Sequence, residues 1–391
     1  MDSEDPLFIL YTSGTTGRPK GTLHVQGGFT VFAAQQTAYL IDLKDDDLLF
    51  WPADIGWITG QTWTVYGSLI LGGTAVIYDG APDYPEPDRW LHLIDDYGVT
   101  IFGASPTAIH LFMKYDIDGS MVRKHRLDTL RILASTGELL NPDEWLWLFE
   151  NIGKSRCPVM NLSGGTEIGG AIVSPLPVMP SKPSAVGGPV PGIDADVFDG
   201  SGKSVREVTG YLVIRKPWPG MTRGLWKDPE RYVKTYWSTY ENAWFHGDWA
   251  LIDSDGFWYL QGRVDDVIKV AGHRIGSAEI EAVLSSHHAV AESAAIGIPH
   301  QVKGESVVIY VVLNDGYNAD ASLKEELKAY VSEQIGKIAK PEEVKFVKEL
   351  PKTRTGKIVR RLIRAKALYT DLGDLSSLEN PEAVEALDGA L

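Results

Sequence analysis

A single cysteine, Cys157, stands in a chain of 391 residues, so neither an intrachain disulfide nor a thiolate metal cluster can form, and an oxidising compartment has no support. Long apolar runs are missing too. No segment reaches the roughly 18 residues that a membrane span requires, and the opening Met1-Asp2-Ser3-Glu4-Asp5 is acidic where a secretory leader is basic. Positive charge is scarce: 37 Lys and Arg against 52 Asp and Glu give a net charge of −15, which disfavours broad electrostatic binding to nucleic acid. No fixed-period repeat points to a solenoid or propeller. The expectation is a cytoplasmic protein with neither nucleic-acid nor membrane partners.

What is present looks globular. Hydrophobic residues at 44% and charged residues at 23% sit near the averages of folded domains and provide material for two or three of them. Forty Gly and 22 Pro are spread along the chain, so elements are short. Residues 7–11 form a compact apolar run, followed by a Ser/Thr/Gly loop and a helical stretch at 29–40. Strands are then expected at 74–78 and 99–103 and helices at 88–97 and 106–114, an alternation that predicts a mostly parallel α/β sheet. Residues 194–214 change to short alternating runs broken by Gly and Asp, which read as antiparallel β structure. Beyond Gly262, strands at 266–270, 294–298 and 307–313 and helices at 277–284 and 323–335 suggest a small α+β domain. The boundary is placed at Gln261-Gly262-Arg263, giving domains 1–262 and 263–391, and the polar tail after Ala367 carries no assignment. The strand at 7–11 opens the chain, yet a parallel strand buried in a sheet needs neighbours on both sides.

Tyr11-Thr12-Ser13-Gly14-Thr15-Thr16-Gly17-Arg18-Pro19-Lys20-Gly21 is the first segment with chemistry in it. Its glycines permit tight turns, its N–H and hydroxyl groups can surround phosphate oxygens, and Lys20 adds positive charge. The same residues make ordinary surface turns, and Gly17-Arg18-Pro19-Lys20 departs from the Walker pattern. Taken alone, the loop leaves both readings open.

The whole string resembles the phosphate loop of the adenylate-forming superfamily, which includes acyl-CoA synthetases, luciferases and peptide-synthetase adenylation domains. Further signatures follow in order: Asn161-Leu162-Ser163-Gly164-Gly165-Thr166-Glu167, His246-Gly247-Asp248, Gly262-Arg263-Val264-Asp265-Asp266-Val267-Ile268-Lys269 and Pro351-Lys352-Thr353-Arg354-Thr355-Gly356-Lys357. The segment Trp51-Pro52-Ala53-Asp54-Ile55-Gly56-Trp57-Ile58-Thr59-Gly60, together with Gly137-Glu138 and Ala271-Gly272-His273-Arg274-Ile275-Gly276, is similar to the acetyl-CoA synthetase-like branch. The resemblance implies an α/β large domain with mostly parallel sheets and a small antiparallel segment, then a mobile α+β C-terminal domain.

It also implies a chemistry. A carboxylate attacks the α-phosphate of ATP, giving an acyl-adenylate and pyrophosphate, and the thiol of coenzyme A then displaces AMP. Phosphoryl transfer needs positioning and charge neutralisation more than an acid–base pair. By resemblance, Thr12, Ser13, Gly14, Thr15, Thr16, Gly17 and Lys20 surround the phosphates, Thr166 contacts phosphate, and Glu167 ligates Mg²⁺, a hard cation suited to one carboxylate plus waters. Gly137, Glu138 and Asn161 match adenine-binding segments. Asp248 and Arg263 match ribose contacts, and Arg274 a phosphate contact. Gly272 and Ser105 are expected beside coenzyme A. Trp57, Ile58, Thr59 and Gly164 are expected to line the acyl pocket, Asp265 to be a hinge, and Lys357 to neutralise the acyl carboxylate and α-phosphate. Outside these motifs Glu167 reads as a solvated helix-start charge, Asp248 as a turn residue, Asp265 as an ordinary domain boundary, and Lys357 as part of a basic face with Lys352, Arg354, Arg360, Arg361, Arg364 and Lys366.

Departures from the family pattern carry expectations of their own. Gly164 stands where acetate-specific members commonly have tryptophan, so room for propionate, butyrate or a short hydroxy acid is expected. Ser163 replaces an adenine-stacking aromatic, and Ser332 a basic residue near the coenzyme. Acetylation of Lys357 would remove its charge. The chain resembles the C-terminal portion of the enzyme, and a companion polypeptide carrying the earlier segment is an expected partner. The leading reading is an AMP-forming acyl-CoA synthetase using ATP, Mg²⁺ and coenzyme A. The alternative is an inactive or split-gene fragment that binds nucleotide or a companion chain without turnover. A module serving a carrier protein has no carrier domain to support it in residues 371–391.

Overall fold

The computed structural model describes residues 1–12, 19–271, 273–353, 356–376 and 378–387, without the side chains of Asp265 and Arg274. Two compact units emerge. The first comprises Met1–Thr12, Lys20–His246 and Ala250–Leu260; the second holds Gly247–Trp249 and the chain from Gln261 onward.

In the first unit a five-stranded parallel sheet runs in the order Thr74–Val76, Leu48–Phe50, Ile101–Ala104, Ile132–Ser135, Val159–Asn161. Its strands are apolar on both faces because both faces are covered. Successive side chains point to opposite sides, so Phe102 and Leu133 join Leu91, Ile94, Ile109, Phe112 and Trp145 in one core. Ile101, Ile132 and Met160 face a second core with Phe32, Leu40 and Trp63. The helix Arg89–Tyr97 buries Trp90, Leu91, Leu93 and Ile94 and stops at Gly98, whose φ of +67° supplies the left-handed turn of a helix end. The helix Pro106–Tyr115 starts at Ser105, whose hydroxyl accepts from the Ala108 amide, with proline in the first turn.

The expected antiparallel region is present: Ala195–Phe198 pairs with Gly210–Ile214 in a four-stranded sheet completed by Trp244–Ile252 and Trp258–Arg263. One expectation is corrected. The opening strand does not enter the parallel sheet but forms, as Pro6–Thr12, a two-stranded antiparallel sheet with Lys20–Val25, and the helix follows at once as Gln26–Leu40. Lys20-Gly21-Thr22-Leu23-His24-Val25 has the alternation of a short strand, and pairing with it satisfies one edge of the first strand.

The second unit is built on a five-stranded mixed sheet, His273–Gly276, Val267–Val270, Gly304–Leu313 and Val290–His300, with Glu343–Phe346 parallel to Gly304–Leu313. The helices Ser277–Ser285 and Ala321–Gln334 pack Ile280, Leu284, Leu327 and Val331 against one face. The tail after Ala367 is part of this unit: Leu378 and Val384 are buried with Leu362, and Leu387 with Ile363. Asn380 accepts from the Lys352 amide at 2.8 Å and donates to the Leu350 carbonyl at 3.0 Å. Among the described residues no helix is long and apolar enough to cross a membrane.

Asn380→Ala strips both backbone groups of their partner and is expected to destabilise the second unit by about 1–3 kcal/mol, measured as a lowered urea midpoint with the m-value retained.

Candidate functional site

The hairpin of the first unit ends in register, Thr12 opposite Lys20, so Lys20 leaves the glycine-rich loop on a fixed strand. That strand is held from its other side by Leu225, bridged to Thr22, and by Thr222, whose hydroxyl donates to the Leu23 carbonyl at 2.8 Å. Thr166 and Glu167 occupy the tight turn between the antiparallel strands Ser163–Gly165 and Gly170–Ser174. The amides of Ile168 and Gly169 close the turn on the Gly165 carbonyl, and Gly169, at φ +80°, makes it possible.

Lys20 and Glu167, 147 residues apart, meet here. The Lys20 Nζ donates to Glu167 Oε1 at 2.9 Å and to the Tyr236 hydroxyl at 2.6 Å, and Tyr236 donates to the same carboxylate oxygen. Tyr236 ends the helix Pro229–Tyr236 and stacks flat on the buried Trp244, with ring centroids 4.1 Å apart. Burial alone pushes the Glu167 carboxyl up, but the Lys20 charge and the hydrogen bonds from Tyr236 and Lys20 outweigh it and hold the acid at about 2. Glu167 is therefore a carboxylate at any physiological pH. His24, four residues beyond Lys20, donates from Nε2 to the Thr166 carbonyl at 2.7 Å. Burial lowers its pKa to about 4, so it is a neutral strut under the turn. Gly165 faces His246: a Cβ there would lie 3.2 Å from the imidazole.

Other expected residues line the carboxyl ends of adjacent parallel strands, the edge where open α/β sheets bind ligands. Ser105 follows Ile101–Ala104, Gly137 and Glu138 follow Ile132–Ser135, and Asn161 closes Val159–Asn161. Thr136 donates to the Leu162 carbonyl at 2.8 Å and ties two of these ends together. Gly137 is exposed at φ +103° with nothing near a Cβ, whereas Glu138 accepts from Thr107 at 2.7 Å. The Asn161 amide donates to the Ser184 and Ala185 carbonyls at 3.0 and 3.3 Å, so its NH₂ serves the backbone. Trp57, Ile58 and Thr59 are half-buried at the start of the irregular, wide-turn helix Gly60–Gly67.

One expectation fails on geometry. Gly164 was expected to open acyl space, but a Cβ at this position would lie 1.9 Å from the Gly170 carbonyl oxygen of the neighbouring strand. The absent side chain leaves no cavity there; glycine is required for the two strands to approach.

In the second unit Arg263 pairs with Asp248 at 3.1 Å, across Gly247, where a Cβ would meet the guanidinium at 2.7 Å. Lys357 sits on a tight turn whose backbone carbonyl accepts from the Thr353 amide at 2.9 Å, and its side chain is exposed. Several neighbouring cations are already engaged: Lys352 with Glu292, Arg360 with Glu281 and Asp266, Arg361 with the Leu372 and Asp374 carbonyls, and Arg364 with Glu305. The basic stretch is thus largely internal bracing. Ser13, Gly14, Thr15, Thr16, Gly17 and Gly272 lie outside the described residues, as do the side chains of Asp265 and Arg274. Sequence reasoning missed Tyr236, His24 and His246. Only His246 had a signal, as the first residue of its motif; the other two are chosen by tertiary contact.

This arrangement has a counterpart in known sequences. The family model of AMP-binding enzymes matches residues 1–226, and that of the AMP-binding enzyme C-terminal domain matches 279–357. The chain belongs to the AMP-binding enzyme family. Acetyl-coenzyme A synthetase of Pyrobaculum aerophilum is 49% identical over 389 residues, covering 98% of this chain and 58% of that relative. Among solved structures, acetoacetyl-CoA synthetase from Streptomyces lividans superposes with a TM-score of 0.88 at 29% identity, covering 100% of this chain and 59% of the other. The anthranilate CoA ligase AuaEII in complex with anthranoyl-AMP gives 0.81 at 27% identity, covering 94% and 67%. The chain spans about 60% of the length of the curated relatives it matches.

The AMP-binding unit has two acid-sensitive groups with separate windows. The His24 pKa lies below its unfolded value of 6.5, so its contribution erodes as pH falls from 6.5 towards 4. The Glu167 pKa lies below 4.5, so its contribution erodes from 4.5 towards 2. Urea midpoints should fall through both windows, and His24→Asn should flatten the upper one, worth roughly 3 kcal/mol, while leaving the lower.

Proposed function

We propose that this chain carries the nucleotide-handling machinery of an AMP-forming acyl-CoA synthetase, which activates a short-chain carboxylic acid with ATP and passes the acyl group to coenzyme A in the cytoplasm. The observation that carries the reading is the half-buried contact of Lys20 with the buried Glu167, which joins the glycine-rich loop's strand to the Thr166-Glu167 turn.

A cation that meets phosphate and a carboxylate that meets a metal need to be kept together, desolvated and fixed. The two charges neutralise each other, and Tyr236 bonds to the shared oxygen. The donor set fits Mg²⁺: an ionised carboxylate beside threonine hydroxyls is hard oxygen chemistry. Thr12 adds a buried hydroxyl with no hydrogen-bond partner among the described residues. Glu167 would hold the ion, which neutralises charge on the phosphates. Lys20 and the loop hydroxyls orient the triphosphate, and Thr166 contacts it. Asp248 and Arg263 hold the ribose, and Gly137, Glu138 and Asn161 border the base. Lys357 offsets repulsion between the acyl carboxylate and the α-phosphate; the carboxylate oxygen bonds to phosphorus and pyrophosphate leaves. In the second half-reaction the coenzyme thiol bonds to the acyl carbon, near Gly272 and Ser105, and AMP leaves. Asp265 is the proposed hinge between the two. A short acid is supported by the acetyl and acetoacetyl groups in the relatives' names, with Trp57, Ile58 and Thr59 as the proposed wall of its pocket; Gly164 adds no room there.

Purified chain incubated with ATP, Mg²⁺, coenzyme A and C2 to C6 acids is expected to release AMP with a short acid, and absence of AMP with every acid would overturn the reading. Lys357→Ala should slow adenylate formation about 100-fold or more and leave thioester formation from supplied acyl-adenylate intact; equal loss of both half-reactions would remove Lys357 from its role.

A further inference from the structure

Away from the Lys20–Glu167 contact, the first unit gathers two imidazoles and a carboxylate that the proposed reaction does not use. Asp88 immediately precedes the helix Arg89–Tyr97, and His92 lies one turn along it, so the i and i+4 side chains share a face. His125 follows the short helical turn Val122–Lys124 and is buried. Asp88 Oδ2 is 3.0 Å from His125 Nε2 and 3.4 Å from His92 Nε2, and one atom from each of the three residues falls within 4.8 Å of the others. Ligands at the Zn–N and Zn–O distances of a tetrahedral site stand about 3.3 Å apart along its edges, so two of the three edges are already at metal-binding length.

The surroundings of His125 are those of a ligand. Its other nitrogen, Nδ1, lies 3.5 Å from Asp95 Oδ2. Asp95 is itself fixed by accepting from the Arg126 and Leu127 amides at 3.0 and 2.8 Å. Nε2 now shares a proton with Asp88 in a 3.0 Å hydrogen bond; a cation taking that place leaves the ring proton on Nδ1, where the Asp95 carboxylate faces it and raises the basicity of Nε2. A second cluster, His287, His288 and Glu326, lacks this feature. The Ala289 amide donates to His287 Nδ1 at 3.3 Å, so Nδ1 must remain an acceptor and cannot take the ring proton when a cation displaces it from Nε2.

We propose that Asp88, His92 and His125 form a three-ligand site for a borderline divalent cation, Zn²⁺ being the best fit, with Asp95 as the positioning residue behind His125. Two imidazoles and one carboxylate prefer Zn²⁺ to Mg²⁺, so millimolar Mg²⁺ does not compete. The bound ion pins the first turn of the helix Arg89–Tyr97 to the segment that leads into the strand Ile132–Ser135. It binds the folded chain alone and therefore raises its stability.

Calorimetric titration of the full chain with Zn²⁺ in the presence of Mg²⁺ tests this. Wild type is expected to bind one Zn²⁺ at this site and to gain thermal stability with it. His92→Ala, at an exposed position, should lower the affinity more than tenfold and abolish the Zn²⁺-dependent gain in thermal stability, measured against the variant's own metal-free melting temperature. Asp95→Asn should weaken binding about tenfold, and His288→Ala should leave it intact. No Zn²⁺ binding by wild type, or binding by His92→Ala as tight as by wild type, would overturn the proposal.

Discussion

The Lys20–Glu167 contact is the constraint on which the rest of the candidate site depends. Two opposite charges taken out of water are costly unless they are paired and hydrogen-bonded, and both conditions are met: 2.9 Å between the charged atoms, with Tyr236 bonded to each partner. Because the pair spans 147 residues, it fixes the strand that leaves the glycine-rich loop against a turn set by an unrelated sheet. His24 repeats the link four residues along the same strand through the Thr166 carbonyl. The two chemically distinct tasks proposed for this place, gripping phosphate and holding a metal, would share one rigid support.

Glycines complete that support, and they do so by close approach. Gly169 accepts a left-handed turn beside the Gly220 carbonyl, Gly164 allows strand against strand, and Gly247 leaves room for Arg263 to lie along the chain towards Asp248. At Gly169 and Gly164 the backbone of a neighbouring segment occupies the volume a side chain would need, and at Gly247, in the second unit, the Arg263 guanidinium does. The expectation that acyl selectivity resides at Gly164 gives way for that reason, and Trp57, Ile58 and Thr59 remain as the proposed acyl-pocket residues.

The alternation of strands and helices, the antiparallel region and most elements of the second unit were legible because their periodicity is strong. The helix 277–284 and the strand pair around 294–313 appear nearly as read, as Ser277–Ser285, Val290–His300 and Gly304–Leu313. The opening was misread: a six-residue strand beginning Lys20-Gly21 has too few alternating positions to stand out, and it turned an expected strand–loop–helix into a hairpin followed by a helix. The tail was unreadable because its apolar residues, Leu378, Ala383, Val384 and Leu387, are few and widely spaced. In the candidate site the motif residues were visible as strings. Tyr236 and His24 were not, because what brings them in is stacking on Trp244 and burial under a turn, neither of which leaves a spacing in the sequence.

The double-mutant cycle of Lys20→Met and Glu167→Gln, read as unfolding free energy at neutral pH, tests this dependence most directly. Lys20→Met leaves the buried Glu167 without its cation and is predicted to cost about 3–5 kcal/mol, Glu167→Gln leaves the half-buried Lys20 unpaired and costs less, and the double change costs less than their sum by more than about 1 kcal/mol. Strict additivity of the two would contradict the account, since it would mean that the loop's strand and the Thr166-Glu167 turn are held independently of each other.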